Sequence, residues 1–137
     1  MDTDHVSLYL GLQQPTYDRV RHEFTDCGIS IISVQEVFNG WMGQLGRISN
    51  ENYQIAAYQK LHAASRFFQK LPILNYETSA SQVYQQLIGD HPKLAKRKLE
   101  NDVRIAAIAL SLGAMVVTRN RKDFELVPGL VIEDWSQ

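Results

Sequence analysis

The stretch Asn101-Asp102-Val103-Arg104-Ile105-Ala106-Ala107-Ile108-Ala109-Leu110-Ser111-Leu112-Gly113-Ala114-Met115-Val116-Val117-Thr118 decides the fold. Ile105, Ile108, Ala109 and Leu112 recur at i, i+3, i+4 and i+7, the spacing of an amphipathic helix, and Gly113 stops it. Ala114 to Thr118 then runs on as an apolar strand with no polar alternation, which predicts burial on both faces. A helix feeding a doubly buried strand is the unit of a parallel α/β sheet.

Outward from that unit the pattern repeats. Upstream, Tyr17, Val20, His22 and Phe24 predict a helix after Pro15 that ends at Cys27-Gly28. A strand over Ile29–Ile32 and a helix opened by Ser33 through Trp41 come next, with Gly43, Gly46 and Ser49-Asn50 as the following turn. Tyr53, Ala57, Leu61, Ala64, Phe68 and Leu71 draw one stripe along a helix over 51–71, closed by Pro72. Ile73-Leu74 reads as a short strand, residues 79–88 as a helix, and Leu130-Val131-Ile132 as a last strand. No repeat or linker divides the 137 residues, so residues 1–137 form one α/β domain with a central parallel sheet covered by helices on both faces.

Composition narrows the classes. One cysteine, Cys27, cannot form an internal disulfide or a CxxC site, and no apolar run approaches the ~20 residues that cross a bilayer. With no basic leader before Val6–Leu12, the expected location is cytoplasmic. The net charge of −1 hides an asymmetry: residues 93 to 122 carry eight basic side chains against Glu100 and Asp102. Lys93, Lys96, Arg97, Lys98, Arg104, Arg119, Arg121 and Lys122 are either a solvated face or a surface that attracts a polyanion.

In an open α/β sheet, ligands gather beyond the carboxyl ends of the strands. Acids fall there from distant parts of the chain: Asp2 and Asp4, Glu36 after the Ile29 strand, Asp102 at the start of the Ile105 helix, and Asn120 with Asp123 after Val116-Val117. Each has a plain structural reading. Ser33-x-x-Glu36 fits a capping box, Asp102 complements a helix dipole, Asp4 caps a helix from His5, and Asn120 and Asp123 suit a turn. Placed together, however, crowded carboxylates raise one another's pKa unless a cation lies among them, and a hard, oxygen-seeking ion such as magnesium or manganese suits the set. His5, His22, His62 and His91 show no metal-ligand spacing and read as surface or core.

Four segments in order carry a resemblance. Asp2-Thr3-Asp4-His5-Val6-Ser7 looks like the opening DT(D/N) box of PIN domains, and Ile31 to Gly40 like their ExxxG segment. Asn101 to Ala109 resembles the NDxxIAAxA box, and Val117 to Phe124 with Val127-Pro128-Gly129-Leu130 resembles the closing segment. The chain thus resembles the VapC-type toxins of the PIN-domain family. The resemblance implies a three-layer α/β/α fold and a magnesium- or manganese-dependent endoribonuclease that cleaves RNA phosphodiesters with an ion-activated water. It also implies a homodimer held inactive by a cognate VapB-like antitoxin, with no membrane involvement. Residue by residue, it assigns Asp2, Glu36 and Asp102 to the metal and to catalysis. Asp123 joins them as the nearby catalytic acid, and Asp4, Thr118 and Asn120 support the site.

The chain departs from the pattern twice. Asn120 stands where many relatives have aspartate. Met1 directly precedes Asp2, where the family has a hydrophobic mid-sheet strand, so the first strand is expected to be truncated and, if the sheet lacks it, Asp2 loosely seated. Two other classes stay open: a degenerate PIN module that binds RNA or a protein without cutting, and a phosphatase, because Asp2-Thr3-Asp4-His5-Val6 also fits a DxDx(T/V) nucleophile box.

Overall fold

A computed structural model describes all 137 residues. Its seven helices are α1 (Thr3–Leu10), α2 (Thr16–His22), α3 (Ile31–Leu45), α4 (Glu51–Phe68), α5 (Thr78–Asp90), α6 (Glu100–Ser111) and α7 (Arg121–Phe124). Short 3-10 turns follow α2 and precede α6. The strands β1 (Ile29–Ser30), β2 (Ile73–Leu74), β3 (Val116–Val117) and β4 (Ile132–Glu133) pair in parallel, β1 with β2 and β3 with β4.

The two pairs do not hydrogen-bond to each other. Met1 and Asp2 span the gap: the Met1 ammonium donates to the Gly28 carbonyl at 2.8 Å and the Asp2 N–H to the Val117 carbonyl at 3.0 Å. Beside them an apolar-walled cavity of about 580 Å³ reaches Leu74, Ile108 and Val116. The expected central sheet is therefore split into halves. Asp2 is nonetheless firmly seated rather than loose, being 5% exposed and bonded through both backbone and side chain.

Alternation of side chains across β3 sends Val116 into one core and Val117 into another. The first core is built on α6, which buries every residue from Ile105 to Ala109 together with Val103, against Leu87, Leu94, Leu99 and Phe124. The second gathers Val6, Val20, Ile29, Val34, Val37, Ala64, Phe67, Phe68 and Trp135 from α1–α4, β1 and the C-terminal segment. Ile31 touches both.

Several predicted boundaries move for local reasons. Ser30, not Ser33, caps α3: its hydroxyl accepts from the Ser33 N–H at 3.0 Å, so the helix starts at Ile31 and the expected strand over Ile29–Ile32 keeps only two residues. That helix runs through Gly43 to Leu45, so the turn begins only at Gly46. Asp2, rather than Asp4, caps α1, a helix the sequence signalled weakly. The helix after Pro15 ends at His22. At the stripe ends Tyr53 and Leu112 are exposed, while Phe67 joins the core. Gly113 follows α6 with φ +64°, a conformation that favours glycine. Ile108→Ala is expected to cost about 2–5 kcal/mol of unfolding free energy. Leu112→Ala, at the solvent-exposed end of the same stripe, should change it by less than about 0.5 kcal/mol. Urea midpoints of the two variants measure both.

Candidate active site

Asp2 reaches the site because the α1 cap fixes it. One carboxylate oxygen, Oδ1, accepts from the His5 N–H at 2.9 Å, and Oδ2 accepts from the Thr118 hydroxyl at 2.5 Å. Thr118 is fully buried just after β3 and in turn accepts from the Asn120 N–H at 2.9 Å.

Glu36 lies in the second turn of α3. It does not close a capping box; its carboxylate accepts from the Thr3 hydroxyl and, at 2.8 Å, from the Asn101 side-chain amide. Asn101 and Asp102 share the first turn of α6, whose later turns are locked in the core. The Asn120 amide points between two acids, 3.4 Å from Asp102 Oδ2 and 3.2 Å from Asp123 Oδ2. Asp4 is paired with Arg119 at 3.0 Å, a contact that raises the Arg119 pKa above its ordinary value.

These groups share one open cleft of about 670 Å³, lined by Asp2, Thr3, Asp4, Glu36, Asn39, Asp102, Ile105, Arg119 and Asn120. Glu36 and Asp102 thus face the same space. Asp123 stands behind Asn120, in contact with the cluster but outside the lining. The electrostatic consequence falls on Asp102: partial burial first, then the Glu36, Asp123, Asp2 and Asp4 carboxylates, push its pKa up from 3.8 to about 6.

A divalent ion is the natural answer to such crowding, and the donors are the right kind: all oxygen, with Arg119 the single cation in the lining. No three of the acids stand close enough to enclose an ion unaided.

The basic residues fare unevenly. Arg104 is paired with Glu100 at 2.7 Å and lies over the Tyr76 and Tyr84 rings, and Arg121 is paired with Glu125 at 2.9 Å. Lys93, Lys96, Arg97, Lys98 and Lys122 are exposed and make no ion pair. The first four lie on the turns directly before α6, whose opening carries Asp102. Sequence reasoning passed over Thr3, Asn39 and Asn101 as site residues, although all three lie in the quoted boxes. It also dismissed His5, whose i+3 spacing from the capping Asp2 was the available signal.

No family model matches the sequence. Over 81 residues the chain is 33% identical to a tRNA(fMet)-specific endonuclease VapC of Salmonella typhimurium, an alignment covering 59% of this chain and 61% of that protein. It is 35% identical over 69 residues to ribonuclease VapC2 of Haemophilus influenzae, covering 50% and 52%. The chain thus aligns with about half to three fifths of the length of these curated relatives. In three dimensions the likeness is nearly complete. A chain of the DNA-bound VapBC of Salmonella typhimurium superposes with a TM-score of 0.77 at 27% identity, covering 98% of this chain and 95% of that one. One of VapBC2 from Rickettsia felis, bound to a promoter DNA fragment, superposes with 0.76 at 21% identity, covering 98% and 96%, a likeness of fold. The expected PIN fold and the resemblance to VapC-type proteins are both borne out.

Because the Asp102 pKa is raised on folding, ionising its carboxyl disfavours the folded state. Without added metal, stability is expected to fall as pH rises from about 4 to about 6 and to stay lower above that. Asp102→Asn should flatten that slope and raise stability at neutral pH. Urea titrations of parent and variant across this range check it.

Proposed function

We propose that this chain, whose fold and sequence resemble those of VapC-type PIN domains, is a divalent-metal-dependent endoribonuclease and the toxin of a toxin–antitoxin pair. The observation that carries the reading is the gathering of Asp2, Glu36 and Asp102, from three separate elements, in one oxygen-rich cleft. Magnesium or manganese, when bound, orients and acidifies a water and neutralises charge on the scissile phosphate. Asp2 and Asp102 would hold the ion directly, and Glu36 directly or through water. Thr118 fixes the rotamer of Asp2, and Thr3 and Asn101 fix that of Glu36. Asp123 is the acid in reserve, its carboxylate shared with Asn120. Asp4 keeps Arg119 at the rim, where it can meet a phosphate.

RNA would approach along Lys93, Lys96, Arg97, Lys98 and Lys122, with Arg104, Arg119 and Arg121 available by exchanging their surface partners at little cost. Transfer RNA is the first substrate to test, since the Salmonella relative is named for it. A VapB-like antitoxin is the proposed partner and a homodimer the proposed assembly. Tyr53, Ile55 and Tyr58 on α4 offer exposed apolar surface for docking. No helix is long and apolar enough to cross a membrane, in keeping with the proposed cytoplasmic location.

A non-cutting RNA-binding module remains the second reading, favoured by the neutral Asn120 amide between Asp102 and Asp123. A phosphatase has less support. No lysine lines the cleft, and Glu133 and Asp134 are engaged by Trp135 and Ser136 outside it.

Purified chain incubated with structured RNAs in magnesium or manganese should cut them. Asp2→Ala and Asp102→Ala should lower the rate by more than the roughly 10- to 100-fold typical of outer-shell partners. Variants that cut like the parent overturn the site assignment, and a metal-independent or inactive parent overturns the nuclease reading. Replacing Lys96 and Lys98 with Gln should weaken RNA binding and flatten its dependence on log salt by about 0.7 per lost phosphate contact, read by anisotropy titrations at several salt concentrations.

A further inference from the structure

His5 is fully buried, titratable and given no part in the reading above. Both of its ring nitrogens are nonetheless engaged. Nε2 lies 3.1 Å from the backbone N–H of Trp135, and a backbone N–H can only donate, so Nε2 carries its lone pair. The ring proton of the neutral imidazole is then on Nδ1, which faces Asp2 Oδ1 at 3.3 Å. Asp134 Oδ1 lies 3.5 Å from Nε2 but is already satisfied by the Ser136 N–H and hydroxyl at 2.8 and 2.6 Å.

Two relays of the same design therefore end on one carboxylate. The Asn120 N–H donates to Thr118 Oγ1, whose hydroxyl donates to Asp2 Oδ2. The Trp135 N–H donates to His5 Nε2, whose Nδ1–H donates to Asp2 Oδ1. Each relay starts from a backbone amide, so donor direction is set by the main chain, and successive bonds polarise one another. The far anchor is itself fixed: the Trp135 carbonyl accepts from the buried Thr16 hydroxyl at 3.1 Å, and its indole N–H donates to Glu133 at 2.7 Å.

We infer that His5 is a positioning residue: its Nδ1–H orients the Asp2 carboxylate for its divalent ion, and the Trp135 N–H fixes the tautomer that places the proton there. This rests on the reading of Asp2 as a ligand. Asn carries an N–H at the position of Nδ1 and lacks the contact to Trp135, whereas Leu fills much of the space with no donor at all. Binding of Mn2+ to the full chain, followed by calorimetry or electron paramagnetic resonance, should weaken roughly 10- to 100-fold in His5→Leu. His5→Asn should recover most of that loss even where its thermal stability falls as far as that of His5→Leu. A folded His5→Leu that binds Mn2+ like the parent, or a His5→Asn no better than Leu, overturns the inference. Nitrogen-15 spectra of histidine-labelled parent decide it without any variant: a proton on Nδ1 of His5 supports the relay and one on Nε2 overturns it. A parent that binds no Mn2+ sinks the metal reading of the cleft, and the tautomer then judges the relay alone.

Discussion

Asp2 and its neighbour Met1 do three jobs between them, and the rest of the molecule is arranged around them. The Asp2 N–H closes onto β3, Met1 closes onto the residue before β1, and the Asp2 side chain caps α1. The backbone bonds join two strand pairs that make no direct bond to each other. The cap sets the direction of the first helix and so carries Val6 into the second core. A residue constrained by main chain, helix terminus and two side-chain donors has little freedom left, which is what a ligand needs if its geometry is to be fixed before any ion arrives.

The other side of the cleft obtains its rigidity differently. Asp102 has a single weak contact from Asn120, but it sits one turn from six buried residues of α6. Packing fixes the helix, and the helix fixes the carboxylate. Glu36 combines both devices, since α3 contributes Ile32 to one core and Val34 and Val37 to the other while Thr3 and Asn101 hold the side chain. The acids are thus held near one another, and the pKa of Asp102 is raised, by its burial first and by the neighbouring carboxylates second.

The features that could be read from sequence were those with a periodic or punctuating signal. The stripe of α6, the stop at Gly113, the buried run through Val116-Val117 and the parallel strand pairings follow from spacing and composition. The convergence of Asp2, Glu36 and Asp102 on one cleft follows from the position of each relative to a strand or helix end. What escaped was decided by single side-chain bonds. Ser30 and Ser33 are equally good caps on paper, and only the three-residue register of the hydroxyl selects the first. The stripe of α4 overran at Tyr53 because periodicity marks a face without marking how far along it the neighbours reach. His5 offered one local signal, its spacing from Asp2, while its second partner, Trp135, lies 130 residues away in the chain.

The two cores meet at the cleft: Asp2 is borne by the side built on α1 to α4, Asp102 by the side built on α6, and Glu36 by the helix that feeds both. Anything that neutralises these acids together also laces the halves into one cooperative body. Occupancy and resistance to unfolding are then thermodynamically linked, with a site filled at 100 times its dissociation constant contributing about 2.7 kcal/mol. Emptying the cleft would loosen the seam first, so amide exchange at its margins would report how full it is before any chemistry could.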